Sequence, residues 1–130
     1  MYGDYNTMQY DKESELGTPR VTSTAPITLT DSNFRLAMHR YSVLVVDFWA
    51  PWCGPCRMLG PTLEQLASEM AGQAVFGKLN VDENPHIAAA FEIQSIPTVI
   101  VFKNGDVADG FRGVSSKAEI RLLISNVVNA

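Results

Sequence analysis

Residues 43–56 read VLVVDFWAPWCGPC, and this stretch decides the fold. Its first half, Val43–Trp49, is dense in β-branched and aromatic residues and has no polar residue before Asp47. That pattern predicts a strand covered on both faces. After Pro55 the apolar residues recur with the period of a helix. The two cysteines of the stretch are therefore expected where a buried strand passes into a helix.

Cys53 and Cys56 are the only cysteines in the chain. Two thiols three positions apart close almost no loop, so the pair indicates redox chemistry or metal binding rather than structural support. The N-terminus of a helix offers unpaired backbone N–H groups and a partial positive charge, which stabilise a thiolate. We therefore expect Cys53, at the cap, to attack a target disulfide. Cys56, one turn inside and more buried, would resolve the mixed disulfide.

Asp47 is the candidate proton acceptor for Cys56. It interrupts an apolar run, so it is either buried or marks a bend, and a buried carboxylate can take up a proton near neutrality. Lys78, in the next predicted strand, is its candidate partner. Without the cysteines, Asp47 would be interpreted as a hydrogen-bonded polar residue and Lys78 as a solvated one.

A zinc or iron–sulfur site is the other chemistry open to such a cysteine pair. These sites need four ligands, and the chain has no third cysteine. His39 and His86 are not at ligand spacing from any partner, so both are expected at the surface. The sequence predicts no metal and no bound cofactor, because the dithiol is itself the redox group.

Strand and helix signals alternate along the rest of the chain. The first half of the domain is expected to contain a strand at 27–29, a helix from a cap at Thr30 or Asp31 to about His39, strand 43–49 and the helix after Pro55. A strand at 74–81 and a helix from Pro85 to Phe91 follow. The chain is expected to end with strands at 98–102 and 107–112, joined at Asn104-Gly105, and a last helix opened by the capping box Ser116–Glu119. This order predicts an α/β domain with a mixed sheet and helices on both faces.

Length and charge limit the classes of function. The chain has 130 residues and a net charge of −4, which fits one domain. Its basic residues are scattered singly, so nucleic-acid binding is not expected. No apolar run in the chain, Val43–Val46 included, approaches the roughly 20 residues that span a membrane. Residues 1–25 have no helical or strand period and are expected to be a flexible extension before a domain at 26–130. The first residues do not resemble a secretory signal, which favours the cytoplasm.

Taken together, residues 45–57 (VVDFWAPWCGPCR) resemble the thioredoxin family. Four further matches follow in the family's order and spacing: KLNVD at 78–82, IPT at 96–98, FKNG at 102–105, and Gly113. WCGPC with a downstream Ile-Pro-Thr is a specific combination. The resemblance covers about residues 26–129.

The resemblance implies a thioredoxin fold, with a central mixed five-stranded sheet flanked by four helices. It also implies a cis bond before Pro97, Pro97 packed beside the two sulfurs, and the Ile96 backbone paired with an extended target segment. It supports the interpretation of Asp47 as the buried acid and Lys78 as its neighbour. The implied contact surface is Trp52, Gly54, Pro55, Ile96, Pro97 and Gly113. Ser95 and Arg112 depart from the family pattern at the rim, where a glycine and an apolar residue are expected.

We therefore predict a cytoplasmic, monomeric, general protein-disulfide reductase that acts on disulfide-containing target proteins. A separate thioredoxin reductase would recycle it. Two alternatives stay open: a thiol oxidase or isomerase of the same fold, and a module that clamps a partner protein without redox chemistry. Replacing both cysteines by serine distinguishes the last alternative, because a clamp keeps its role and a reductase loses it.

Overall fold

The computed structural model describes residues 23–130, which form a five-stranded sheet in the order β1-β3-β2-β4-β5. The strands are β1 (Ile27–Leu29), β2 (Val43–Trp49), β3 (Val75–Asn80), β4 (Thr98–Lys103) and β5 (Asp106–Arg112). β1, β3 and β2 run parallel, whereas β4 is antiparallel to β2 and β5 is antiparallel to β4. The predicted mixed sheet is confirmed. Residues 1–22 of the predicted extension lie outside the described residues.

Four helices flank the sheet in the described part of the chain. They are α1 (Phe34–Arg40), α2 (Gly54–Glu69), α3 (Pro85–Ala90) and α4 (Lys117–Asn129). The predicted capping box of α4 is present, because the Ser116 side chain accepts from the Glu119 backbone N–H and Glu119 reaches back to the Ser116 N–H. Pro85 occupies the first turn of α3, where its missing N–H leaves no hydrogen bond unmade.

The sheet has an apolar core on each face. Val45, Val99 and Val101 pack with α2 and α4, whereas Leu44, Val46 and Phe48 pack with α1 and α3. Six of the seven residues of β2 are buried, as expected for a central strand covered on both faces. This burial fixes the end of β2, from which the two cysteines follow.

The N-terminus of α1 differs from the sequence prediction. The helix starts at Phe34, with Asn33 at the cap position, and Thr30 caps only the turn before it: the Thr30 hydroxyl accepts from the Asn33 backbone N–H at 3.2 Å. The carboxylate of Asp31 instead accepts hydrogen bonds from the backbone N–H groups of His86 and Ile87, at 3.1 and 2.8 Å. Asp31 therefore caps the first turn of α3, a helix about 55 residues away.

Candidate functional site

Cys53 caps helix α2 at the point where the chain leaves β2. It forms a disulfide with Cys56, and their Cα atoms are 5.2 Å apart. The backbone N–H of Cys56 points at the sulfur of Cys53, with an N···Sγ distance of 3.2 Å. Pro55 lies in the first turn of the helix and limits the conformations of the segment between the cysteines. The sulfur of Cys53 therefore lies against the positive end of the helix.

The two cysteines are buried to nearly the same extent, at 4% and 3% exposure. The expected greater burial of Cys56 amounts to only this small difference in the oxidised protein. Both cysteines belong to one small apolar cluster with Ala50, against which Ile96 packs. The two cysteines differ instead in their position on the helix, because only Cys53 is at the cap.

The segment Ile96-Pro97 lies beside the disulfide. The predicted cis bond between these residues is present. The Ile96 carbonyl oxygen is 3.8 Å from the Cys53 sulfur, and Pro97 is buried. Gly113 donates its backbone N–H to the Pro97 carbonyl at 2.9 Å, and Gly113 adopts a positive φ of 80° that favours glycine. Four residues named from the sequence are thus brought together from three separate parts of the chain: Cys53, Ile96, Pro97 and Gly113.

Trp52 lies at the surface next to Cys53 and is 68% exposed. Its indole N–H donates to a carboxylate oxygen of Asp82 at 2.7 Å. Gly54 and Pro55 are also exposed, so they extend the same surface. The role of Asp82 was missed by sequence reasoning: it belongs to the KLNVD match, but its distance in sequence from Trp52 hides the contact.

Asp47 is buried in β2, with 3% of its surface exposed. Its Oδ1 atom has no hydrogen-bond partner among residues 23–130. Burial raises the pKa of Asp47 from 3.8 to about 6, and the nearby positive charge of Lys78 opposes that rise in part. A carboxyl group with this pKa exchanges protons close to neutral pH.

Lys78 is directly opposite Asp47 in the parallel pairing of β3 with β2. Its ammonium nitrogen lies over the ring of Trp49, 4.2 Å from the centroid. No ion pair between Lys78 and Asp47 occurs in the described residues. The lysine therefore affects Asp47 through its charge while a cation–π contact holds it on the neighbouring tryptophan.

Asp47, in β2, faces the side of helix α2 on which Cys56 lies. A small cavity of about 10 Å³, close to the volume that admits one water, is lined by Asp47, Gly60 and Leu63 among others. Gly60 and Leu63 follow Cys56 by four and seven positions, so all three share one face of the helix. This geometry aligns the buried carboxyl group with the helix face that carries the second cysteine.

Metal-binding clusters and membrane-spanning helices are both absent from residues 23–130. No group of three or more histidine, cysteine or acidic side chains there could hold a metal ion, and His39 and His86 are both exposed. No helix in the same range is long and apolar enough to cross a membrane.

The disulfide lies at a helix N-terminus, beside a cis-proline and next to an exposed tryptophan. This combination defines a thiol–disulfide oxidoreductase. Comparison with known proteins gives the particular family. A family model for thioredoxin matches residues 25–126. The chain therefore belongs to the thioredoxin family and is a protein-disulfide reductase that uses the Cys53–Cys56 pair.

Several thioredoxins illustrate the relationship. The thioredoxin of Alicyclobacillus acidocaldarius is 44% identical over 104 residues, which are 80% of this chain and 99% of that protein. That of Staphylococcus haemolyticus is 50% identical over 99 residues, covering 74% and 94% of the two chains. A solved mutant thioredoxin from Halobacterium salinarum superposes with a TM-score of 0.77 at 29% identity, covering 82% of this chain and 94% of that one.

Proposed function

We propose that Cys53 is the attacking sulfur and Cys56 the resolving sulfur of the reductase. In the reduced protein, the Cys53 thiolate attacks one sulfur of a target disulfide. A mixed disulfide forms, and the other target sulfur leaves as a thiolate. Cys56 then loses its proton and attacks the Cys53 sulfur. The target sulfur that was bonded to Cys53 then leaves as a thiolate. The target has thereby gained two electrons and two protons, and the protein returns to the disulfide form described above.

One contact carries this assignment of roles. The backbone N–H of Cys56 is directed at the Cys53 sulfur at 3.2 Å. A hydrogen bond from an N–H group at the end of a helix favours the negative charge of a thiolate. Cys56 has no equivalent position at the cap, because it lies inside the first turn of α2. The helix therefore stabilises a thiolate at Cys53 more than at Cys56.

Asp47 is proposed as the group that accepts the proton of Cys56 in the resolving step. Its raised pKa of about 6 supports this role. Its position in β2 also supports it, because Asp47 faces the side of α2 that carries Cys56. Lys78 would act as a positioning residue, since its charge favours the ionised form of Asp47. The carboxylate must be ionised to accept a proton, so the resolving step should accelerate as the pH rises through about 6.

The contact surface proposed for target proteins surrounds the disulfide. Trp52, Gly54 and Pro55 form its exposed part, and Ile96, Pro97 and Gly113 form the part beside the sulfurs. Ile96 would pair its backbone with an extended target segment, as in strand addition. This pairing would align a target disulfide with the Cys53 sulfur, because the Ile96 carbonyl oxygen lies 3.8 Å from it.

The proposal also includes partners and organisation. Targets are proteins with accessible disulfides, and a separate thioredoxin reductase returns two electrons to the Cys53–Cys56 disulfide. No further cofactor is needed, since the dithiol holds both electrons. We place the protein in the cytoplasm as a monomer, with a domain at 26–130 that follows an extension at 1–25.

Turnover of a protein disulfide tests this function. With dithiothreitol as electron donor, the wild-type chain should accelerate reduction of insulin disulfides, and the Cys53→Ser and Cys56→Ser variants should each lose that catalysis. Lack of acceleration by the folded wild-type chain would contradict the reductase. A double serine variant that still sustains the cellular role would favour the partner-clamping alternative. Faster formation than reduction of target disulfides would favour the oxidase.

A further inference from the structure

Arg112 is a charged residue at the edge of the contact surface. It ends β5 and is paired with Thr98, the residue that follows Pro97. The next residue, Gly113, holds the Pro97 carbonyl by its backbone N–H. The backbone at Arg112 is thus fixed directly next to the segment that lies beside the disulfide.

The guanidinium group of Arg112 is exposed and has no hydrogen-bond or ion-pair partner within residues 23–130. The other charges near the disulfide are engaged. Asp82 accepts the indole N–H of Trp52, and Arg57 donates to the Pro51 carbonyl at 3.1 Å. Arg112 is therefore a positive charge at this surface that is available to a bound protein.

An open cleft leads away from this position. Its volume is about 310 Å³, and it runs between the segment before Pro97 and strand β5, with Gln94, Thr98 and Arg112 among its lining residues. Thr98 and Arg112 are paired across the strands, so both side chains project on the same face of the sheet. Asp109 is the acidic residue of β5 in the cleft, and it is paired with Val101, three residue pairs away from the Thr98–Arg112 pair. Its carboxylate accepts a hydrogen bond from the Gly110 N–H.

We propose that Arg112 selects target segments that carry a carboxylate near the reactive cysteine. The inference rests on the proposed function of the disulfide and adds a specificity-determining residue to it. Ile96 lies beside the Cys53 sulfur, and Thr98 is two residues later. Thr98 is paired on both sides, with Phe48 of β2 and Arg112 of β5, so a target segment that pairs with Ile96 does not continue along β4. Arg112 lies at the end of β5, so the segment brings a side chain near its reactive cysteine within reach of the guanidinium where it passes this end.

The expected effect is modest because the ion pair is exposed. Exposed pairs of opposite charge typically change an equilibrium or rate by about two- to fivefold. Salt screens such pairs, so the preference should fade as the ionic strength rises to about 1 M. The preference should also depend on position, because only a side chain that passes the end of β5 reaches Arg112.

A series of disulfide peptides tests the proposal on the full chain. Each peptide carries one Glu, Gln or Lys at a position one to four residues from its reactive cysteine. We expect kcat/KM for the Glu peptide to exceed that for the Gln peptide by about two- to fivefold at one of these positions. Arg112→Gln should bring this ratio to about one, and Arg112→Glu should favour the Lys peptide instead.

Two controls separate this inference from the proposed function. Arg35→Gln removes the same charge from an exposed position on α1 and should keep the wild-type ratio. The uncharged substrate hydroxyethyl disulfide should be reduced equally by wild type and both Arg112 variants. Equal Glu-to-Gln ratios in wild type and Arg112→Gln would overturn the inference while leaving the reductase intact. If the wild type reduces neither the Gln peptides nor hydroxyethyl disulfide, the proposed function itself is overturned.

Discussion

Replacing Asp47 by asparagine should make the protein more stable at neutral pH and slower in the resolving step. The carboxyl group is 3% exposed and its Oδ1 atom lacks a hydrogen-bond partner in the described chain. Burial raises its pKa from 3.8 to about 6. A pKa unit corresponds to about 1.4 kcal/mol, so ionised Asp47 lowers the free energy of unfolding by about 3 kcal/mol.

The sign follows from the two protonation equilibria. Below a pH of about 3.8 the group is neutral in the folded and unfolded states, and burial of its charge costs nothing. As the pH rises, the unfolded state ionises first, and stability falls until the folded state also ionises near pH 6. Asparagine does not titrate, so the variant escapes this loss. Its advantage over wild type should grow by about 2 kcal/mol between about pH 4.5 and 7.5.

Urea denaturation of the oxidised proteins at several pH values measures this difference. Asp106→Asn is the matched control, because it removes a carboxylate from an exposed position at the start of β5. The difference between that variant and wild type should change little with pH. Stopped-flow measurement of the resolving step should show an inflection near pH 6 in wild type. In Asp47→Asn the step should be slower and should lack that inflection, because only solvent then accepts the proton of Cys56. A stability difference independent of pH, or a variant as fast as wild type, would refute the reasoning.

Three further predictions concern the cap positions. In the reduced protein, iodoacetamide should modify Cys53 much faster than Cys56, as followed by peptide mass mapping; equal rates would contradict the assigned roles. Asp31→Ala should lower the free energy of unfolding by about 1–2 kcal/mol and speed hydrogen exchange at Ile87, because two N–H groups of α3 lose their acceptor. Unchanged exchange there would argue against the long-range cap. Ser116→Ala should lower stability by about 1 kcal/mol in urea without changing insulin reduction, and a loss of turnover would connect α4 to the site.

Local patterns in the sequence predicted the elements well where one segment determines its own structure. β2 is an apolar run interrupted only by Asp47, α4 carries its own capping box, and the Asn104-Gly105 turn has positive φ at both residues. Each of these signals lies within a few residues, so no distant contact is needed to interpret it. The order of elements and the mixed sheet followed from them.

Contacts between distant segments were harder to predict. Asp31 looked like a cap for the helix that follows it, but it caps α3 because β1 and β3 bring the two segments together. Lys78 was expected to partner Asp47, and the register does place them side by side, yet its ammonium lies over Trp49. No local sequence pattern predicted the hydrogen bond from the Trp52 indole N–H to the Asp82 carboxylate.

The burial of the cysteines could not be predicted from their positions in the sequence. One turn of helix separates the two residues, which suggested different exposure. Both belong to the cluster around Ala50, and their exposures are nearly equal. Their predicted functional difference therefore depends on the helix cap alone.

The central claim is that Cys53 attacks the target and Cys56 resolves the mixed disulfide. Intact-protein mass spectrometry of reduced single-cysteine variants, mixed with a disulfide peptide at neutral pH, tests it directly. Cys56→Ser should accumulate a persistent peptide adduct on Cys53, whereas Cys53→Ser should form its adduct far more slowly. Wild type should pass to the Cys53–Cys56 disulfide without a lasting adduct. Adducts that form equally fast on Cys56 and on Cys53 would contradict the account.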